Sequence, residues 1–212
     1  MDNTFFDFVD AKIAACQAVI DSLGLDEKAE SDFLQYFLSG KGIENLENIA
    51  DYLKDHRLYT EENYENSCRI YEQVKIDRIH KYDGVDETLE ALSKKELKLA
   101  VVTDADRENA MKRLEKTDIK KFFEIIITIE DTNKKKPEPA SIELALESLG
   151  VNAEDAVMVG DSLKRDIAPA QALGMVTVYA LYGDKNFFSD EPGEPDHTID
   201  DIREIIDIIE NE

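Results

Sequence analysis

The chain has 212 residues, 42% of them hydrophobic and 34% charged, with 48 acidic against 25 basic side chains and a formal charge of −23 at pH 7. That length suits one well-cored domain, or a core domain carrying a smaller inserted one, in a folded globular class. So negative a charge argues against nucleic acid and anionic membranes as partners, and no apolar run approaches the ~20 residues of a membrane helix. Cys16 and Cys68 offer neither a disulfide framework nor paired metal-ligand spacing, and no basic-then-apolar leader opens the chain. The cytoplasm is the expected location.

From about Phe8 to Ile79 the pattern is helical. Phe8, Ile13, Ala14, Val19, Ile20 and Leu23 approximate one apolar stripe ending at Gly24. Phe33, Leu34, Tyr36, Phe37 and Leu38 form a second segment, stopped by Ser39-Gly40-Lys41-Gly42. Ile43 to Leu53 and Thr60 to Ile79 supply two more, and Thr60-Glu61-Glu62-Asn63 reads as a cap with acids in the first turn. A small helical bundle is expected.

From Tyr82 onward, helices alternate with short β-branched runs. The strands are expected at Leu97–Thr103, Ile125–Ile129, Ala156–Val159 and Val176–Leu181. The helices are expected at Val85–Lys94, Arg107–Glu115, Ser141–Leu149, Ile167–Leu173 and Ile202–Ile209, and Glu191 to Asp196 as a surface loop. Strands apolar on both faces fit a parallel sheet covered by helices, so the expected class is α/β, a doubly wound parallel sheet. Ligands of such folds bind beyond the carboxyl ends of the strands.

Those ends carry the polar groups. Leu99-Ala100-Val101-Val102 runs into Thr103-Asp104, and Ala156-Val157-Met158-Val159 runs into Gly160-Asp161-Ser162, with Asp166 beyond. Between them lies Lys134-Lys135-Lys136-Pro137-Glu138-Pro139. Paired carboxylates at Asp161 and Asp166 suit a hard cation that wants oxygen ligands. The hydroxyl of Thr103 and the ammonium of Lys136 can each hold a phosphoryl oxygen. Taken singly, each of these is more often a turn, a cap or a solvated lysine; it is the ordered set that points to chemistry. His56, His80 and His197 are expected at the surface or an interface, and Cys16 and Cys68 in the helical packing.

Val102-Thr103-Asp104, Lys136-Pro137-Glu138-Pro139 and Val159-Gly160-Asp161-Ser162 with Asp166 resemble the second, third and fourth motifs of the haloacid dehalogenase-like (HAD) superfamily. Ala170 to Met175 fits the stretch after the fourth motif, and Asp83-Gly84-Val85 resembles the return from a helical cap. The resemblance covers nearly the whole chain. It implies a Rossmann-like core at 1–7 and 81–212 with a helical cap at 8–80. Within the superfamily the chain looks most like archaeal-type small phosphatases acting on triose phosphates or phosphoglycolate.

The family's first motif is Asp-x-Asp-x-Thr after an apolar strand, and Met1-Asp2-Asn3-Thr4 supplies its last four positions. The resemblance therefore places the nucleophilic aspartate one position before Met1, with Met1 internal to a longer reading frame. It implies a magnesium-dependent phosphatase working through an aspartyl-phosphate. Asp2, Thr103 and Lys136 would be catalytic, with Asp2 as acid/base; Thr103, Asp104 and Lys136 would bind substrate. Asp161, Asp166 and the backbone carbonyl of Asp2 would hold Mg2+. The substrate would be a small phosphorylated metabolite, the assembly a monomer or homodimer. A 2-haloacid dehalogenase is the alternative enzyme, disfavoured by the acid at Asp2 and the Asp161/Asp166 pair. A non-catalytic magnesium- and phosphate-binding protein is the alternative outside enzymes.

Overall fold

The structure is a computed structural model that describes residues 1–39, 44–185 and 194–211. The chain divides into two compact units, Phe8–Ile79 and a second made of Met1–Asp7 with His80–Glu212. The glycine stop at Gly40–Gly42 and residues 191–193 of the expected loop lie outside the described residues.

The Phe8–Ile79 unit holds α1 (Phe8–Ser22), α2 (Glu27–Ser39), α3 (Glu47–Asp55) and α4 (Glu61–Asp77). On α1 the buried positions are Phe8, Ala11, Ala15, Cys16, Val19 and Ile20. That corrects the expected stripe. Counting 3.6 residues per turn from Phe8 selects Ala11, Ala15 and Val19, and leaves Ile13 38% exposed. The core closes on aromatic contacts, with Phe33 edge-on to Phe37 and to Tyr52 at 5.3 and 4.7 Å between centroids, geometries that add to simple burial. Thr60 caps α4 as expected, its hydroxyl accepting from the Asn63 amide at 3.0 Å. Lys75 is fully buried on α4 and tolerated because Glu72 (2.6 Å), Glu44 (3.5 Å) and the face of Tyr71 surround its ammonium. Cys16 is buried and Cys68 half-buried in this packing.

The other unit alternates helix and strand: α5 (Val85–Lys94), β1 (Ala100–Val102), α6 (Arg107–Lys116), β2 (Ile125–Ile127), α7 (Ile129–Thr132) and α8 (Ala140–Leu149), then β3 (Val157–Gly160), α9 (Ala168–Leu173), β4 (Val176–Ala180), β5 (His197–Ile199) and α10 (Glu204–Asn211). Among the described residues every ladder is parallel, and the class is α/β. The strands form two groups, β1-β2 and β3-β4-β5. Ala100 pairs with Ile125, and Val157 with Val176; among the described residues no ladder joins β1 to β3.

β5 was not expected, because His197-Thr198-Ile199 has too few apolar residues to read as a strand. Tertiary bonds make it one. Asp196 accepts from the Thr177 amide at 2.8 Å and its hydroxyl at 2.6 Å, docking the segment beside β4. The segment expected as the start of one helix at Ile167 is instead a π-helical turn, Leu163–Ile167, running into α9. Ser162 caps it by accepting from the Arg165 amide. Such wide turns recur at functional sites. No described helix is long and apolar enough to cross a membrane.

Candidate active site

β1 and β3 both end at one polar cluster. Past Val102, the Asp104 carboxylate accepts from the Lys136 backbone amide at 3.0 Å and so ties the Lys134–Pro139 loop to the end of β1. The Lys136–Pro137 bond is cis. From that loop the Lys136 ammonium donates to the Val102 carbonyl at 3.4 Å and to Asp166 Oδ1 at 2.5 Å. One cation thus bridges the ends of β1 and of the segment after β3.

On the β3 side, Asp166 turns back from the π-helical turn and Oδ2 accepts from the Ser162 amide at 3.2 Å. It lies against Gly160, where a Cβ would sit 2.6 Å from both Cγ and Oδ2 of Asp166. Glycine is required here by space, since Gly160 has no positive φ. Gly160→Ala is expected to push Asp166 off Lys136 and lower the midpoint of thermal unfolding, by roughly 1–3 kcal/mol equivalent as overpacking usually does; an unshifted melting curve would refute this.

Asp161, next along, is 5% exposed. Its Oδ1 accepts from the Thr4 hydroxyl at 3.0 Å. The Tyr182 hydroxyl donates to the Thr4 carbonyl at 2.8 Å, and Lys185 pairs with Asp7 at 3.1 Å. Gly183 permits the approach of this turn: a Cβ there would overlap the backbone of Asn3, 2.8 Å from its carbonyl carbon. So the first residues of the chain are held against the β3 end by the segment after β4.

Electrostatics bind the cluster together. Burial raises the Asp161 carboxyl, the charge of Asp166 adds to it, and the group reaches about 6 in spite of the Met1 ammonium, Arg165 and Thr4. Burial acts the same way on Asp166, but the charge and hydrogen bond of Lys136 outweigh it and hold that carboxyl below its usual range. Burial lowers the Lys136 ammonium, and Asp166 reverses this and raises it.

Asp161, Asp166 and Lys136 are brought together with the first turn of the chain. Thr103 is buried at the end of β1, its hydroxyl accepting from the Ala105 amide at 3.2 Å, and the same oxygen retains a hydrogen to donate. Asp104 acts on the Lys136 loop, as above. Asp2 accepts at Oδ2 from Arg113 at 2.7 Å, while its Oδ1 is buried without a hydrogen-bond partner among the described residues. The Arg113 side chain is 0% exposed. Neither Arg113 nor Thr4 was expected as a site residue. Arg113 follows Lys112 on a charged helix, where its spacing gives no hint of burial; Thr4 was legible as a motif position. His56 and His80 are exposed and His197 half-buried.

Asp161 and Asp166 fit magnesium in chemistry, since that ion takes one or two carboxylates and keeps several waters. Among the described residues no group of three or more His, Cys, Asp or Glu side chains could hold a metal, and the Asp2 carboxylate is paired with Arg113.

The description haloacid dehalogenase-like hydrolase matches residues 1–180. Glyceraldehyde 3-phosphate phosphatase of Methanocaldococcus jannaschii is 30% identical over 222 positions, spanning 100% of this chain and 95% of that relative. Phosphoglycolate phosphatase of Aquifex aeolicus is 29% identical, spanning 100% and 94%. The crystal structure of a HAD phosphatase from Thermococcus onnurineus aligns over 99% of this chain and 94% of its own, at 26% identity and a TM-score of 0.67. With its motifs clustered at the ends of parallel strands, and a match over most of its length, the chain belongs to the haloacid dehalogenase-like hydrolases.

Proposed function

We propose that this hydrolase is a magnesium-dependent phosphatase of small phosphorylated metabolites, with triose phosphates and phosphoglycolate the first candidates. The observation that carries it is the buried Lys136–Asp166 pair beside Asp161, a cation and two acids gathered at the ends of two parallel strands. The names of the two full-length relatives support the substrate class.

In this reading Lys136 and Thr103 bind the phosphoryl oxygens, and the unpartnered Oδ1 of Asp2 exchanges protons with leaving group and water. Arg113 orients Asp2 from the other side. Asp161 and Asp166 would hold the ion, which when bound neutralises phosphoryl charge. The attacking carboxylate is an aspartate joined directly before Met1, and the Phe8–Ile79 unit serves as the cap.

The test is phosphate release from a panel of phosphorylated metabolites. The chain and a form extended before Met1 by an apolar strand ending in aspartate are compared, with magnesium and with EDTA. Magnesium-dependent release by the extended form is expected. Halide release from 2-haloacids without phosphate release would overturn the proposal in favour of a dehalogenase. Binding without turnover in both forms would leave a non-catalytic protein.

A further inference from the structure

The buried cations Lys136 and Arg113 are already matched. The Lys136 ammonium pairs with Asp166 at 2.5 Å and the Arg113 guanidinium with Asp2 at 2.7 Å, and these two side chains are only 8% and 0% exposed. Asp161 accepts from the Thr4 hydroxyl. A phosphoryl group seated on Lys136 and Thr103 therefore has its leaving group directed away from these buried side chains, towards the exposed residues of the same loop.

Arg165 is such a residue. It is exposed, one position before Asp166 in the π-helical turn. Its backbone amide donates to the Ser162 hydroxyl at 3.2 Å and its Nε to the same oxygen at 3.4 Å, which folds the side chain back over the neighbour of Asp161. Beyond burial and the charges that the cluster's own members exert on one another, the Arg165 guanidinium acts on Asp161, Asp166 and Lys136 alike. Among the described residues no carboxylate pairs with it, in a chain with 48 acidic against 25 basic side chains. Arg107 and Arg203, exposed on the same unit, are paired with Asp131 and Asp201. The acids beside Arg165 are committed, Asp161 to Thr4 and Asp166 to Lys136 and the Ser162 amide. The terminal nitrogens of its planar fork keep their hydrogens for a ligand.

We propose that Arg165 is a specificity-determining residue of this site, which binds a carboxylate carried on the leaving group of the substrate. The fork matches two carboxylate oxygens with two parallel donors, and its single charge balances that of one carboxylate. The inference rests on the phosphatase reading for where the phosphoryl group sits. It narrows the substrates from small phosphorylated metabolites at large to phosphomonoesters of hydroxy acids. Such an ester is more negative than an ester of a neutral alcohol, and a chain of charge −23 repels it unless a local cation reverses the field.

The test compares phosphoglycolate with 2-hydroxyethyl phosphate, which has CH2OH where the former has its carboxylate. The extended form with magnesium is expected to prefer phosphoglycolate in kcat/KM. In Arg165→Gln, which keeps the backbone amide that Ser162 accepts from, that preference is expected to fall at least about tenfold, mainly through KM. Arg165→Lys, which keeps the charge and loses the fork, is expected to fall less. Calorimetry of the chain with magnesium and the same two compounds reads the subsite without turnover. There Arg165→Gln is expected to weaken phosphoglycolate at least about tenfold more than the hydroxyethyl ester. An equal loss on both compounds, no loss on either, or binding of neither would overturn the proposal. Selective loss of binding without phosphate release by the parent would overturn the phosphatase reading and leave the carboxylate subsite standing. Phosphate release by the parent with an unchanged preference in Arg165→Gln would do the reverse.

Discussion

Lys136→Met is expected to reduce phosphate release by about two decades or more in the extended, active form, on the scale of losing an oxyanion-type donor. The same change strands the Asp166 carboxylate, 5% exposed, without its cation. Breaking a buried pair from one side costs roughly 3–5 kcal/mol. Stability and catalysis are separated by Lys136→Arg, which keeps the charge near Asp166 but changes the shape of the donor. A folded Lys136→Arg protein with Lys136→Met-like turnover assigns the lysine to phosphoryl binding. Full turnover in a folded Lys136→Met protein would remove it from the chemistry.

Asp161→Asn is expected to stabilise the metal-free protein while abolishing magnesium-dependent turnover. The Asp161 carboxyl is raised to about 6, first by burial and then by the charge of Asp166. An acid raised on folding binds its proton more tightly in the folded state, so its contribution is full at low pH and is lost as pH rises towards and through about 6. A displacement of this size corresponds to about 3 kcal/mol at most above that pH, at 1.36 kcal/mol per unit. In EDTA, the gain of Asp161→Asn over the unsubstituted chain should grow between about pH 4 and pH 6 and level off above it. Urea unfolding across that range measures it. A variant less stable than the parent at pH 7 in EDTA would show that the Thr4 contact and local packing matter more than the buried charge.

Both predictions concern residues visible in the sequence, and the reason is physical. A polar group directly after an apolar run has few structural uses, and Thr103-Asp104 and Gly160-Asp161 occupy two such places, with Lys136 on the loop between them and Asp166 just beyond. What the sequence could not show was each group's partner. Asp104 was legible at the end of β1, but not that its carboxylate holds the Lys136 backbone. Asp2 was expected to exchange protons through its carboxylate, and the partner that holds that carboxylate, Arg113, is a residue 111 positions away with no local sign of burial.

Sequence alone determined the α/β class, the helical character of Phe8–Ile79, and the three strand-end motifs, because periodicity and strand-end polarity are local properties of the chain. The tertiary structure decided the rest. Asp196 turned a weakly apolar segment into β5 by bonding Thr177, and Gly183 admitted the first turn of the chain against Asp161. Each of these depends on contacts between residues far apart in sequence, whose pairing no local pattern encodes.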